Sequence, residues 1–243
     1  MALFEARDIT VGYSLPSDEG AGAPALLRHV GFALEAGLIY DLTGPSGAGK
    51  SMLLRACALM MERRAGELLL DGRPSSSFSP QQWRSRVALV PQRASLVPGT
   101  VGENLRLPWT LKVHAAEPAP SDADLSRLLE RAALDVPLDR DAARLSGGQA
   151  ARVALLRTFA TRPSVLLLDE VDAALDDESA RAVGALTAAM AAEGAACLRI
   201  RHRASDGFAS GTFALSGGSL SPLQPAGGAA PCAPPSAASR EAL

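Results

Sequence analysis

Short apolar runs separated by turn residues set the rhythm of this chain. Leu3 to Val11 and Val30 to Leu34 read as strands, and the Gly, Ala and Pro-rich stretch from Pro16 to Pro24 between them reads as a loop with Tyr13 at its start. Leu38 to Thr43 reads as a further strand, entering a glycine-rich turn, and Met52 to Met61 as the helix that leaves it. Glu67 to Leu70 ends at the turn signal Asp71-Gly72, and Val87 to Val90 is a short buried strand stopped by Pro91, with Gln92 next. Ser121 to Leu134 has apolar residues at 125, 128, 129, 132 and 133, a helical period opened by the capping candidates Ser121 and Asp122. A second helix, Ser146 to Ala160, carries glycines in its first turn. Four consecutive apolar residues, Val165 to Leu168, mark a strand buried on both faces of a mostly parallel sheet, and it runs out into Asp169-Glu170. A helix from Asp176 to about Ala192 leads to a last strand, Ala196 to Arg201, with His202 at its C-terminal end.

Composition narrows the classes. The 243 residues are enough for one large α/β domain or two modest lobes with a core that needs no cross-links. A formal net charge of −2 gives no basic excess for nucleic acid, and no polybasic arm points to an anionic membrane surface. Cys57, Cys197 and Cys232 are far apart and odd in number, which argues against a zinc site or a disulfide framework and fits a reducing cytoplasm. The start MALFEARDIT lacks the cationic and apolar regions of a signal peptide, and no apolar run approaches the ~20 residues of a spanning helix. From Pro222 onward Ala, Pro, Ser and Gly dominate, so residues 222–243 are expected to be a disordered tail behind a folded unit of 1–221.

Lysine occurs only twice, and one of the two, Lys50, sits in the octapeptide Gly44 to Ser51, GPSGAGKS. The spacing G-x-x-x-x-G-K-[ST] is that of a phosphate-binding loop. Its glycines let successive N–H groups of Gly44, Pro45, Ser46, Gly47, Ala48 and Gly49 positions curl around a phosphate, where a proline contributes shape and no donor. Lys50 reaches the terminal phosphates and the Ser51 hydroxyl suits Mg²⁺, while the following helix turns its N-terminus toward the anion. In open α/β sheets ligands bind beyond the C-terminal strand ends, so Asp169, Glu170 and His202 are expected at the same edge as this loop. Asp169 suits holding Mg²⁺ from behind its nearest ligands, and Glu170 suits polarising a water for in-line attack.

Taken in order, these residues resemble the ATP-binding subunit of ABC transporters. The likeness covers roughly Leu3 to Leu220: Tyr13 at the A-loop position, GPSGAGKS at 44 to 51, Gln92 at the Q-loop, LSGGQ at 145 to 149, VLLLDE at 165 to 170, AALD at 173 to 176, and His202 at the switch position. LSGGQ is the most specific of these. The resemblance implies an α/β P-loop NTPase fold, a RecA-like core with an antiparallel β lobe and a helical subdomain at about 93–160. It implies ATP and Mg²⁺ as nucleotide and metal, with Tyr13, the loop through Met52, and Ser146, Gly147, Gly148 and Gln149 at the nucleotide. Ser51, Gln92 and Asp169 fall at the metal, and Glu170, His202 and Gln92 at the chemistry. It implies a head-to-tail homodimer, in which Ser146, Gly147 and Gly148 of one copy cap the γ-phosphate held by the other and Asp176 communicates across the interface. Separate permease subunits at the inner face of the cell membrane complete the assembly, and nucleic acid has no part in it.

The chain departs from the family pattern at several places. Met52 replaces the usual second hydroxyl residue of the loop, which removes ~1 kcal/mol of hydrogen bonding to the nucleotide. Ala173 stands where serine is common, Asp172 adds a charge beside the carboxylates, and Arg201 and Arg203 flank His202 where a small residue and an acid are typical. Cationic flanks disfavour His202 protonation and attract phosphate, two effects of opposite consequence. The segment TVGENLRLPWTLKV, 100 to 113, is expected to line the groove that receives a partner helix. It is similar to small bacterial ATPases of the Fet type, associated with iron efflux. A soluble ABC-type ATPase of DNA repair or translation, or a nucleotide-binding scaffold that no longer hydrolyses, stays open as an alternative.

Overall fold

The computed structural model describes residues 2–12, 26–93, 95–173 and 175–223. Tyr13, the expected loop from Pro16 to Pro24, Ala174, Cys232 and the rest of the tail beyond 223 lie outside the described residues.

In chain order the elements are β1 (Ala2–Val11), β2 (Leu27–Glu35), β3 (Ile39–Thr43), α1 (Lys50–Cys57), β4 (Ala65–Leu70), β5 (Arg73–Pro74), α2 (Pro80–Arg86), β6 (Val87–Val90), α3 (Val101–Arg106), α4 (Asp122–Arg131), α5 (Gly147–Phe159), β7 (Val165–Asp169), α6 (Asp177–Ala192), β8 (Ala196–Ile200), β9 (Gly211–Ser216) and β10 (Ser219–Leu223). Two sheets result. One is antiparallel, in the order β2-β1-β4-β5, and the other runs β10-β9-β3-β8-β7-β6. In the second, the β3–β8, β3–β9, β6–β7 and β7–β8 pairs are parallel and only β10 runs against its neighbour. Every residue of β7 and of β8 is buried, as central strands covered on both faces require.

Two apolar cores cover the faces of the parallel sheet. One joins it to the antiparallel sheet and α1 through Phe4, Phe32, Leu53, Leu54, Leu198 and Leu215. Trp83 of α2 seals this core, fully buried, with its indole N–H donating to the Cys57 carbonyl at 2.8 Å. The other joins the opposite face to α3, α4, α5 and α6 through Val101, Leu129, Leu156, Leu168 and Leu186. Cys57 and Cys197 lie inside these cores as free thiols, and burial pushes both up to about 12.

Three expectations change. α1 ends at Cys57 rather than Met61, because Leu59 takes a left-handed conformation (φ 54°) and its N–H turns back to the Ala56 carbonyl. The last helix is followed by three strands instead of one: β8 stops at Ile200, and β9 and β10 form a hairpin around Gly217 and Gly218. Pro222 and Leu223, given to the tail by composition, belong to β10, where an edge position tolerates the proline's missing donor. Helices α2 and α3 sit where polar sequence concealed them, each opened by a reciprocal capping box, Ser79 with Gln82 and Thr100 with Glu103.

Candidate nucleotide site at the strand ends

The loop between β3 and α1 is shaped by glycine. Gly44 has φ 143°, and a β-carbon there would lie 2.2 Å from the Leu215 carbonyl oxygen, so no other residue fits. Gly49, at φ 99°, is the N-cap of α1 and packs against Leu27. Lys50 is only 6% exposed, and its ammonium donates to the carbonyls of Gly44 (2.8 Å) and Pro45 (3.0 Å). A nearly buried cation held by neutral carbonyls at a helix N-terminus is an electrostatic match for phosphate, so the loop fits a nucleotide tail. Met52 points into the core beside Leu53 and Leu54, so its departure from the family pattern is explained by packing.

The next strand end brings the acids. Ser51 donates its hydroxyl to Asp169 at 2.8 Å, which joins the first turn of α1 to the end of β7. Burial pushes the Asp169 carboxyl up, the Ser51 hydrogen bond opposes this, and the neighbouring charge of Glu170 adds to the rise. A hydroxyl and a carboxylate at this spacing form the hard oxygen donor set that Mg²⁺ takes beside phosphate.

Glu170, one residue on, leaves the strand in a left-handed conformation (φ 50°) while its N–H still donates to Ile200 at 3.2 Å. Its two carboxylate oxygens face different partners: His202 Nε2 lies 2.7 Å from Oε1, and the Gln92 amide donates to Oε2 at 2.9 Å. The adjacent parallel strands β6, β7 and β8 end together, which delivers Gln92, Glu170 and His202 to one place.

Ser146 is the N-cap of α5 and forms a capping box with Gln149, so both side chains have a local occupation. A β-carbon on Gly147 would meet nothing within 4 Å, whereas one on Gly148 would sit 2.7 Å from Ser179 Oγ. Within the chain the LSGGQ turn therefore rests on the start of α6. Asp176 caps that helix by accepting from the Ser179 N–H (2.7 Å) and hydroxyl (3.1 Å), and these bonds hold its carboxyl below the usual range.

The arginines flanking His202 correct an expectation. Arg201 pairs with Asp172 at 2.9 Å and lies 2.8 Å from Asp206, off the line of a hydrogen bond. Arg203 pairs with Asp177 at 2.7 Å and donates to the backbone carbonyls of Asp172 (3.2 Å) and Leu175. Asp172 and Arg201 are thus partners, and the two departures from the family pattern neutralise each other. Sequence reasoning missed their partnership because the two residues lie far apart along the chain.

Residues 27–173 match the family model described as ABC transporter. The chain belongs to that family. Its class of activity is ATP hydrolysis. It is 38% identical over 160 residues to the probable iron export ATP-binding protein FetA of Escherichia coli (strain K12), covering 65% of this chain and 69% of that one. A multidrug resistance ABC transporter ATP-binding and permease protein of Lactococcus lactis subsp. lactis (strain IL1403) is 33% identical over 192 residues, 74% of this chain but 31% of the relative. Among solved structures, an ATP binding subunit of an ABC transporter matches with TM-score 0.75 and 25% identity over 91% of this chain and 90% of its own. A bacterial Atm1-family ABC exporter with ATP bound matches with TM-score 0.74 and 26% identity over 90% of this chain and 38% of its own. Among the described residues no helix is long and apolar enough to cross a membrane.

A groove of about 800 Å³ opens between α2, the turns after α3 and the end of α5. Pro108, Leu111 and Val113 from the expected segment line it together with Met60, Ala88 and Leu89. Trp109 packs beside His114, one of the groove's lining residues, with ring centroids 6.0 Å apart.

Proposed function

We propose that this chain is the ATP-hydrolysing subunit of an ABC transporter, working as a head-to-tail pair against separate permease subunits at the inner face of the cell membrane. The observation that carries the reading is Glu170, its two oxygens bonded to Gln92 and His202, one residue after the Asp169 that accepts from Ser51 of the phosphate loop. ATP is the substrate. Its phosphates would replace the carbonyls as partners of Lys50, among the backbone N–H groups of residues 44–51, with Tyr13 at the base. Bound Mg²⁺, held by Ser51, Gln92 and Asp169, would neutralise charge on the phosphate oxygens.

An ionised carboxylate has about four acceptor directions, so the bonds from Gln92 and His202 leave Glu170 able to accept from a water as well. In this role Glu170 takes the proton of the attacking water, and its two partners fix where the carboxylate points. Ser146, Gly147, Gly148 and Gln149 supply a second helix N-terminus for the γ-phosphate of the opposing copy, and the open space around Gly147 supports that use.

The ATP-binding unit on this reading runs to the end of β10 at Leu223, with a helical subdomain at about 93–160. The apolar groove by Pro108 and Leu111 is the surface for a permease helix. The relative named as a probable iron exporter supports metal efflux as the substrate class. Co-expression with a candidate permease tests the assembly: the reading expects a complex that hydrolyses ATP faster than the chain alone, and co-purification with ribosomes or DNA in place of a membrane partner would refute it.

A further inference from the structure

We infer that Arg203, together with Arg201, is a positioning residue that clamps the segment carrying His202 to the turn after Glu170, so that His202 and the start of α6 hold position together. The inference rests on the catalytic reading of Glu170 and His202 given above.

The clamp is built from both sides of His202. Arg201 sends its Nε to Asp172 Oδ2 at 2.9 Å, and both side chains are almost buried. Arg203 spreads its guanidinium over three acceptors of the same turn: the Asp172 carbonyl at 3.2 Å, the Leu175 carbonyl, and Asp177 Oδ1 at 2.7 Å. His202, between the two arginines, reaches Glu170 at 2.7 Å. A planar fork with several fixed donors can span three acceptors at once, whereas a lysine ammonium would act as a single mobile charge.

The turn held by this clamp also carries the LSGGQ helix. Asp177 opens α6, Asp176 caps it through Ser179, and Ser179 Oγ is the atom that a β-carbon on Gly148 would strike at 2.7 Å. Contacts therefore run without a gap from the N-terminus of α5, through Ser179 and Asp176-Asp177, to Arg203, His202 and Glu170. A displacement of the α5 terminus on meeting the opposing copy's nucleotide has a packed route to the catalytic carboxylate of its own chain. Burying the Arg201–Asp172 pair stabilises little on its own account, so conformational specificity is the better reason for its presence.

The test uses the full chain, with wild type, Arg203→Met and Arg203→Lys compared in steady-state hydrolysis against ATP concentration, alongside melting temperature and the ¹⁵N spectrum of the His202 ring. The clamp predicts a kcat lowered roughly tenfold or more in Arg203→Met, a KM within about twofold of wild type, and an altered His202 Nε2 signal. Arg203→Lys should recover only part of the rate. Asp177→Ala, which removes a carboxylate 88% exposed and keeps the rest of the turn, should lower kcat in the same direction by less. Wild-type kcat in Arg203→Met, full rescue by lysine, or a joint loss of kcat, ATP affinity and melting temperature would overturn the clamp while leaving the catalytic reading intact. Absence of hydrolysis by the wild-type chain and its permease complex would instead overturn that reading and this inference with it.

Discussion

Ser51 and Asp169 are 118 residues apart in the chain, yet the serine hydroxyl donates to the carboxylate at 2.8 Å. This bond joins the first turn of the helix after the phosphate loop to the end of a central strand. It also sets two hard oxygen donors side by side, the kind of group that Mg²⁺ would take beside phosphate. Ser51→Ala should therefore raise the Mg²⁺ concentration needed for half-maximal hydrolysis while leaving the melting temperature of the nucleotide-free protein nearly unchanged. A Mg²⁺ titration of activity checks this.

Glycines in the loop differ in what they tolerate. Gly44→Ala forces a β-carbon to 2.2 Å from the Leu215 carbonyl at φ 143°, and should abolish nucleotide binding or folding. Gly47 has φ 78° and nothing within 4 Å, so Gly47→Ala should cost only ~1 kcal/mol of stability. Thermal melts of both variants without nucleotide separate the two predictions.

Met52 fills the core, where the family pattern has a hydroxyl residue that would bond the nucleotide. Met52→Thr should lower stability by roughly 1–3 kcal/mol through lost packing. It should also tighten ATP binding about fivefold, the equivalent of ~1 kcal/mol from one recovered hydrogen bond. Calorimetric binding and melting of the same preparation measure both.

Asp206 makes stability depend on acid. Burial pushes its carboxyl up, but two bonds from Arg199, at 2.9 Å each, outweigh that and hold it below the usual range. A depressed folded-state pKa contributes stability above the ordinary carboxylate value of ~3.9, and that contribution is lost as pH falls through the folded-state value. Arg199 keeps Asp41 at 2.7 Å as a second charge partner, so Asp206→Asn should cost ~1–3 kcal/mol at neutral pH, or roughly 2–12 °C in melting temperature for a chain of this size. The difference from wild type should shrink as pH falls below the carboxylate range, which melts between neutral pH and pH 2.5 would show.

The strands and glycine motifs were legible because they rest on local rules. A buried parallel strand such as VLLL needs apolar residues throughout, and the loop from Gly44 to Ser51 needs glycine at fixed offsets. Helices α2 and α3 were missed although Ser79-x-x-Gln82 and Thr100-x-x-Glu103 announce them, since each is too short to show a hydrophobic period. Strand β10 was hidden because an exposed edge strand, paired on one side only, can be written with Ser and Pro. The pairing of Arg201 with Asp172 and of Arg203 with Asp177 depends on which loops the sheet brings together, so no local pattern encodes it.

Glu170→Gln keeps the shape of the site and removes the carboxylate proposed to take the water's proton, so it separates catalysis at a dimer interface from nucleotide binding alone. Hydrolysis and molecular mass in solution should be measured on wild type and variant with ATP and Mg²⁺. The wild-type rate per chain should rise with protein concentration, and the variant should hydrolyse nothing and accumulate as an ATP-bound dimer. A Glu170→Gln chain that binds ATP with Mg²⁺ yet stays monomeric, or that hydrolyses at the wild-type rate, would contradict catalysis at a dimer interface.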